Sequence, residues 1–289
     1  DLDHDPRRRR DLPDRRRPAA RRCLHQSRPL SCSGEAQVAL PHVHFSGALA
    51  LGPRGRRPNH HLRTRKTRQM PLTRYHYSQA VSAFFEMPTS DARRILPPHL
   101  QPLEVQHECS ILAITAFDFT DSMVGPYQEI VLSVIVPPLV NPERGMAKSA
   151  FYPFLVGTSN QASREHAIER WHLPHYMKDL DIALEPSDGR MRVEVRDGDR
   201  PVLDFEVTEY RSEAVDHLYQ SFMVNGQSRF KVDIHMRGPH SEHEEEVGSL
   251  RLYEHPMTSQ LTLDEVATYP FREQWMTDGV QVFEELETI

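Results

Sequence analysis

Short segments rich in β-branched and aromatic residues recur along most of the chain and predict β-strands. The first three span residues 75–87, 110–119 and 127–137, where Ile, Val, Phe and Tyr dominate and favour a strand. The same pattern predicts further strands over residues 152–156, 181–185, 191–197, 201–210, 228–237, 248–255 and 279–286. Turn sequences such as Ser187-Asp188-Gly189 separate neighbouring segments and predict hairpins.

Short helices are predicted between some of these strands. A Thr-Ser-Asp run offers an N-cap for a helix over residues 91–96. Ser159 or Asn160 can cap a second helix over residues 161–171, which Pro174 ends. Regularly spaced strands with few helices and one helical crossover are typical of a mostly β member of the α+β class, built as an antiparallel barrel or sandwich.

The first 69 residues differ from the remainder in charge and pattern. They hold 17 of the 35 Lys and Arg residues and 6 of the 41 Asp and Glu residues, a net charge of +11 against −17 for residues 70–289. Such a leader is typical of nucleic-acid or membrane binding or of a transit peptide, but its acidic residues argue against the last. It shows no strand or helix period. We therefore predict that residues 1–69 are disordered and outside the natural fold, that Met70 is the natural start, and that residues 70–289 form one domain.

The cysteine content and the longest apolar run limit the classes of protein. Cys109 is the only cysteine after residue 69, which leaves no disulfide framework and favours a reducing, cytoplasmic setting. The apolar run over residues 130–140 is too short to span a bilayer. No phosphate loop, dinucleotide fingerprint or nucleophile elbow is present. We expect no cofactor and no nucleic-acid or membrane partner.

Three motifs, in order, resemble those of the acetoacetate decarboxylase family. An "LLP" element is matched by Ile95-Leu96-Pro97, and a "GPYxE" strand opening by residues 125–129. The family's crossover is matched by Tyr152, Pro153, Asn160, Glu169 and Pro174. The resemblance runs over residues 75–289. It implies the family's cone-shaped, largely antiparallel β barrel with an internal pocket.

The two lysines that follow the crossover proline in that family are replaced in this chain. In the family, the first lysine forms a Schiff base with the substrate ketone and the second keeps the pKa of the first low. His175 and Tyr176 stand in these places, and neither side chain can form the protonated imine. Of the three lysines after residue 69 (Lys148, Lys178 and Lys231), Lys178 is the best candidate for a relocated Schiff base, although each is expected to reach solvent.

Glu129 is the residue that the resemblance places in the pocket. If its strand turns it inward, desolvation raises the pKa of its carboxyl group and suits it to proton transfer, whereas a strand-edge position leaves it in water. His175 could serve as acid or base and Tyr176 as a donor to a developing enolate, or they are a turn histidine and a core tyrosine. The predicted site combines catalytic Glu129, His175, Tyr176 and Lys178 with substrate-binding Tyr127, Glu169 and His172.

A metal site is weighed and not expected. His172 and His175 have ligand-like spacing, but Pro174 breaks the helix that would point both imidazoles one way. The histidines of the run over residues 240–246 (HSEHEEE) are more typical of a solvated acidic loop than of a metal site.

Three functions remain open on these residues. The first is a lyase-type enzyme that acts on a small keto acid or other carbonyl compound by acid/base chemistry, without the lysine Schiff base or with Lys178 supplying it. The second is a non-catalytic barrel that binds a small ligand, and the third is a structural protein. We favour the first and expect a homo-oligomer. The substrate is not identified, because the register of the strands is not fixed by the sequence.

Overall fold

The computed structural model describes residues 72–140 and 145–289. Its elements in chain order are β1 (Thr73–Pro88), α1 (Thr89–Ile95), β2 (Glu104–Gln106), β3 (Cys109–Asp121), β4 (Tyr127–Val136), β5 (Ser149–Thr158), α2 (Gln161–Trp171), β6 (Asp181–Ser187), β7 (Arg190–Asp197), β8 (Arg200–Thr208), β9 (Ser212–Asn225), β10 (Ser228–His243), β11 (Ser249–Leu252), β12 (Arg272–Phe283) and β13 (Glu287–Thr288). The predicted leader over residues 1–69 lies outside the described residues. Within the described ranges, no helix has the length and apolar character needed to cross a membrane.

Seven strands close into a β barrel. The order around the barrel is β1, β12, β10, β9, β5, β4 and β3, and β3 pairs back with β1. Neighbours are antiparallel except for β5 and β9, which run parallel. The prediction of a mostly β fold with a largely antiparallel barrel is therefore confirmed.

Alternate residues of the barrel strands face the interior. In β4, Glu129, Val131 and Ser133 line a central cavity, whereas Ile130 and Leu132 point outward and are fully buried. Both faces of this strand are thus covered. Strands buried on both faces appear in a sequence as nearly continuous apolar runs. The apolar runs that predict β3 and β4 are therefore easy to recognise.

A second sheet covers one outer side of the barrel. It consists of β11, β8, β7 and β6, in that order. Residues such as Val193 and Phe205 of this sheet pack with Ile130, Leu132 and Val156 of the barrel, and we call this cluster the outer core. The outer core holds the second sheet against the barrel wall.

The sequence pattern misses one barrel strand and misplaces the ends of others, among them β10. Residues 212–225, for which no strand is predicted, form β9. Its alternation brings His217 and Ser221 to the same face as Tyr219, so polar side chains interrupt the apolar period. β10 extends to His243, so the prediction of a solvated loop is wrong for residues 240–243. His240 is buried there, 6% exposed.

Gly279 stands where β12 crosses Tyr77 of β1 and Arg237 of β10. A Cβ at this position would overlap the Tyr77 hydroxyl group and the Arg237 carbonyl oxygen, and that hydroxyl donates a hydrogen bond of 3.1 Å to the same carbonyl. We expect Gly279→Ala to lower the free energy of unfolding by about 3 kcal/mol, because backbone atoms cannot yield. Urea denaturation measures the loss.

Gly226→Ala provides the matched control for this prediction. Gly226 has a φ of +58° with open space around it, so its substitution costs only about 1 kcal/mol for the positive φ. If Gly279→Ala and Gly226→Ala lower the free energy of unfolding equally, Gly279 is not crowded as described.

Candidate active site

The barrel encloses a cavity of about 100 Å³ that all seven strands line. Most of its lining is apolar and includes Phe117, Val131, Met223, Val232, Ile234 and Met276. Hydroxyl and amide groups of Ser82, Thr115, Ser133, Ser221, Gln274 and Gln281 are spread among them. An apolar cavity with a few convergent polar groups is the usual form of a small-molecule site.

Glu129 is the one carboxylic acid among the described residues that line the cavity. It is 8% exposed, and no described side chain forms an ion pair or hydrogen bond with its carboxyl group. Burial raises the pKa of Glu129 to about 8, because the apolar surroundings disfavour the charged form. The group therefore populates both protonation states near neutral pH, as the inward orientation predicts.

Two buried tyrosines lie close enough to Glu129 to sense its charge. Burial raises the pKa of Tyr127 well above its ordinary value, and the charge of Glu129 raises it further. Burial is also the main cause of the raised pKa of Tyr75. Both tyrosines thus keep their protons, and Tyr127 packs against Phe119 with ring centroids 4.9 Å apart.

Helix α2 places an aromatic side chain at the cavity. Asn160 caps the helix by accepting a hydrogen bond of 2.9 Å from the Ser163 amide, as the sequence predicts. At the other end Trp171 lines the cavity, and its Nε1 donates a hydrogen bond of 2.8 Å to the Tyr75 hydroxyl group. The helix is therefore anchored to β1 by the residue that contributes to the cavity wall.

Pro174 and Tyr176, which follow α2, pair with the barrel strand β5. The Tyr176 amide donates to the Val156 carbonyl oxygen at 2.8 Å, and the Val156 amide donates to the Pro174 carbonyl oxygen at 2.8 Å. Val156 belongs to the outer core, and the Tyr176 ring packs against that core as well. This pairing directs Tyr176 away from the cavity.

Tyr176 and Lys178 meet at Asp197 of the second sheet. The Tyr176 hydroxyl donates to Asp197 Oδ2 at 2.7 Å, and Lys178 Nζ donates to the same oxygen at 3.0 Å. The hydrogen bond from Tyr176, followed by that from Lys178, lowers the pKa of Asp197. The structure thus brings two of the predicted catalytic residues together, but at an ion pair and not beside Glu129.

His175 does not line the cavity. Within the described part of the chain, both of its ring nitrogens are buried without a hydrogen-bond partner. Burial, aided by the charge of Arg164, lowers the pKa of His175 to about 4. The imidazole is therefore neutral near pH 7.

Glu169 and His172 also lie outside the cavity lining. Glu169 is exposed on α2. His172 ends the helix with a left-handed φ of 56°, and its ring packs on Phe230 at 4.7 Å. In residues 72–140 and 145–289, no group of three or more His, Cys, Asp or Glu side chains has an arrangement that could hold a metal ion.

None of the three lysines after residue 69 lines the cavity. Lys148 is paired with Glu242. Lys231 is only 4% exposed and pairs with Asp233 at 3.0 Å, so the expectation that every lysine reaches solvent is wrong for Lys231. Its β10 neighbour Val232 faces the cavity, which turns the lysine outward.

Sequence reasoning did not identify most of the residues that line the cavity. Trp171, Tyr219 and Gln274 come from α2, β9 and β12. Of these three residues, only Trp171 has a feature in the sequence that could have identified it, namely its position at the end of a predicted helix. The others depend on strand pairing, which the sequence does not reveal.

Several solved structures share this fold. An acetoacetate decarboxylase matches with a TM-score of 0.54 and 14% identity, over 76% of this chain and 90% of that chain. The acetoacetate decarboxylase of Legionella pneumophila matches with a TM-score of 0.53 and 14% identity, over 76% and 88% of the two chains. The enduracididine biosynthesis enzyme MppR, complexed with pyruvate, matches with a TM-score of 0.52 and 13% identity, over 78% and 93%. By sequence, no family and no curated protein matches the chain.

Proposed function

We propose that the barrel binds a small carbonyl compound in its cavity and that Glu129 exchanges a proton with it, by acid/base chemistry without a lysine Schiff base. One observation carries the proposal. A carboxyl group that has no partner among the described side chains lies in an apolar cavity, where burial raises the pKa of Glu129 to about 8. A buried and unpaired acid has little structural use, and a pKa near the working pH suits proton transfer.

The two protonation states of Glu129 have complementary roles in this reaction. The ionised carboxylate removes a proton from the carbon next to the carbonyl group: the C–H bond breaks, an O–H bond forms on Glu129, and the electron pair of the C–H bond moves into the enolate. The protonated acid that results returns a proton to that carbon, which restores the carbonyl compound. The hydroxyl groups of Ser82, Thr115 and Ser133 are donors in the cavity that can stabilise the developing charge.

The shared fold supports a carbonyl ligand. The structure of MppR was solved with pyruvate bound, and acetoacetate decarboxylase is named for a keto acid. The positions of Tyr176 and Lys178 at Asp197 favour Glu129 as the acting residue. The proposal therefore assigns no chemical step to Tyr176 or Lys178, and gives Tyr127 the supporting role of a neutral, buried neighbour.

Hydrogen–deuterium exchange tests the proposed chemistry directly. Butanone is incubated with the protein in D₂O, and loss of the signals from the hydrogens next to the carbonyl is followed by ¹H NMR. We expect the wild-type protein to accelerate exchange and Glu129→Gln to lower the rate at least about 100-fold, because general acid–base catalysis contributes at this level. Glu244→Gln changes an exposed carboxylate and should leave the rate unchanged.

The same experiment separates an enzyme from a simple binding protein. The apolar cavity lining would also suit a non-catalytic barrel. Saturable binding of butanone without exchange above the buffer rate would support that second function. Exchange that is equally fast in Glu129→Gln would overturn the role of Glu129.

A further inference from the structure

We infer that the ligand of the cavity is an uncharged ketone or aldehyde, not a keto acid, because the described residues that line the cavity offer no cation to a carboxylate. This inference rests on the proposed function. The sequence leaves open a keto acid or another carbonyl compound, and the inference selects the second. The pyruvate complex of MppR would instead suggest a keto acid for this chain.

The charges around the cavity carry the inference. Among the described residues that line it, none is lysine, arginine or histidine, and Glu129 is the one acid. The remaining polar lining consists of hydroxyl and amide groups. A bound carboxylate would therefore face apolar carbon, neutral dipoles and a second carboxyl group.

Three cations in and beside the barrel wall are paired with carboxylates. The pairs are Lys148 with Glu242, Lys231 with Asp233 and Arg164 with Asp179. The side chains of Lys231 and Asp233 are buried, 6% and 2% exposed. Turning Lys231 to a ligand is therefore costly, because it breaks a buried ion pair.

A carboxylate and a neutral carbonyl differ in what Glu129 can offer them. Protonated Glu129 can donate one hydrogen bond to either ligand. For the ketone, that bond satisfies its single strong acceptor. For the keto acid, one bond from a neutral donor does not offset the loss of water around a full charge. Ionised Glu129 repels the acid outright.

The size of the cavity limits the ligand further. At about 100 Å³ it is smaller than the roughly 150 Å³ apolar cavities that accept benzene. Ligands of about four to six non-hydrogen atoms fit this volume. Pyruvate and 3-methylbutan-2-one both belong to this class and form a matched pair, because the carboxylate of the first is replaced in the second by an uncharged isopropyl group with the same number of non-hydrogen atoms.

The test compares these two molecules on the full-length protein by ligand-detected NMR titration at pH 7. We expect the dissociation constant of 3-methylbutan-2-one to be at least about 30-fold lower than that of pyruvate. Gln281→Lys places an ammonium group at a lining position of the cavity. It is expected to tighten pyruvate binding at least about tenfold and to weaken ketone binding.

Two cavity-blocking variants make each outcome decisive. Ala80→Phe and the milder Ser82→Leu add volume at lining positions and should abolish ketone binding in folded protein, as checked by circular dichroism. Pyruvate binding as tight as ketone binding, and lost in the blocked variants, would overturn the uncharged-ligand inference while leaving the carbonyl site in place. If neither molecule binds, or if the blocked variants bind the ketone normally, the proposed function itself fails.

Discussion

As the pH rises from about 5 to 8, the free energy of unfolding of the wild-type protein is expected to fall relative to that of Glu129→Gln. Burial raises the pKa of Glu129 from 4.5 to about 8, so between these values the folded state holds a proton that the unfolded state releases. Such a group contributes its full stability below pH 4.5 and loses it as the pH approaches 8. The total effect is on the order of 4–5 kcal/mol.

Two buried histidines have the opposite effect on the pH dependence of stability, and they have it at lower pH. Burial lowers the pKa of His175 and of His240 from 6.5 to about 4, so the unfolded state binds more protons than the folded state in that interval. Their contribution to stability therefore rises as the pH increases from 4 to 6.5. We expect the stability of the wild-type protein to be greatest near pH 6.5, with Glu129 responsible for the decline above it.

Urea denaturation between pH 5 and pH 9 at constant ionic strength measures the free energy of unfolding against pH for the wild-type protein and for Glu129→Gln. The amide introduced by Glu129→Gln cannot ionise, so the variant should keep its stability where the wild-type protein loses it. The surface variant Glu244→Gln should follow the wild-type curve. Parallel curves for wild-type and Glu129→Gln would mean that Glu129 is not buried as the structure shows.

Glu273→Gln is expected to lower the free energy of unfolding by about 3–5 kcal/mol, although it is nearly isosteric. Glu273 is fully buried, and one carboxylate oxygen accepts hydrogen bonds from the Thr208 amide at 2.6 Å and hydroxyl at 2.9 Å. The other accepts from the amides of Val247 at 3.1 Å and Gly248 at 2.7 Å. In the glutamine variant, an NH₂ group replaces one of the two oxygens, so the two donors that bind this oxygen lose their acceptor. Each unsatisfied buried donor costs about 1–3 kcal/mol.

The exposed Glu244 again supplies the control for this substitution. Its carboxylate pairs with Arg272 at 2.7 Å and its side chain is 62% exposed, so Glu244→Gln should cost less than about 1 kcal/mol. Urea denaturation at pH 7 compares the two variants. A loss at Glu273 as small as that at Glu244 would show that the four donors find other acceptors.

These two glutamates show what the sequence could and could not predict. The family resemblance places Glu129 in a pocket, but the sequence leaves open whether its strand turns the side chain inward or leaves it at a strand edge. Glu273, in contrast, precedes the predicted start of its strand at residue 279, and its partners Thr208 and Gly248 belong to distant segments. Its role depends on the approach of the second sheet to the barrel, which no local pattern encodes.

The separation of His175, Tyr176 and Lys178 from Glu129 has a similar cause. Motif spacing indicates which residues follow the crossover helix, but not which way the extended chain turns its side chains. Backbone pairing with Val156 sets that direction, and Asp197 on β7 receives Tyr176. The predicted cap at Asn160 needed only local sequence, and it is confirmed.

The closure of the barrel also constrains how the chain folds. β1 pairs with β12, joining Tyr77 to Gly279, so the ring is complete only when segments from both ends of the domain meet. Contacts between residues so far apart in sequence require a large loop-closure entropy before they give any stability, and such topologies fold slowly. Since every barrel strand contributes to the cavity wall, the binding site does not exist in any partly folded form that lacks β12.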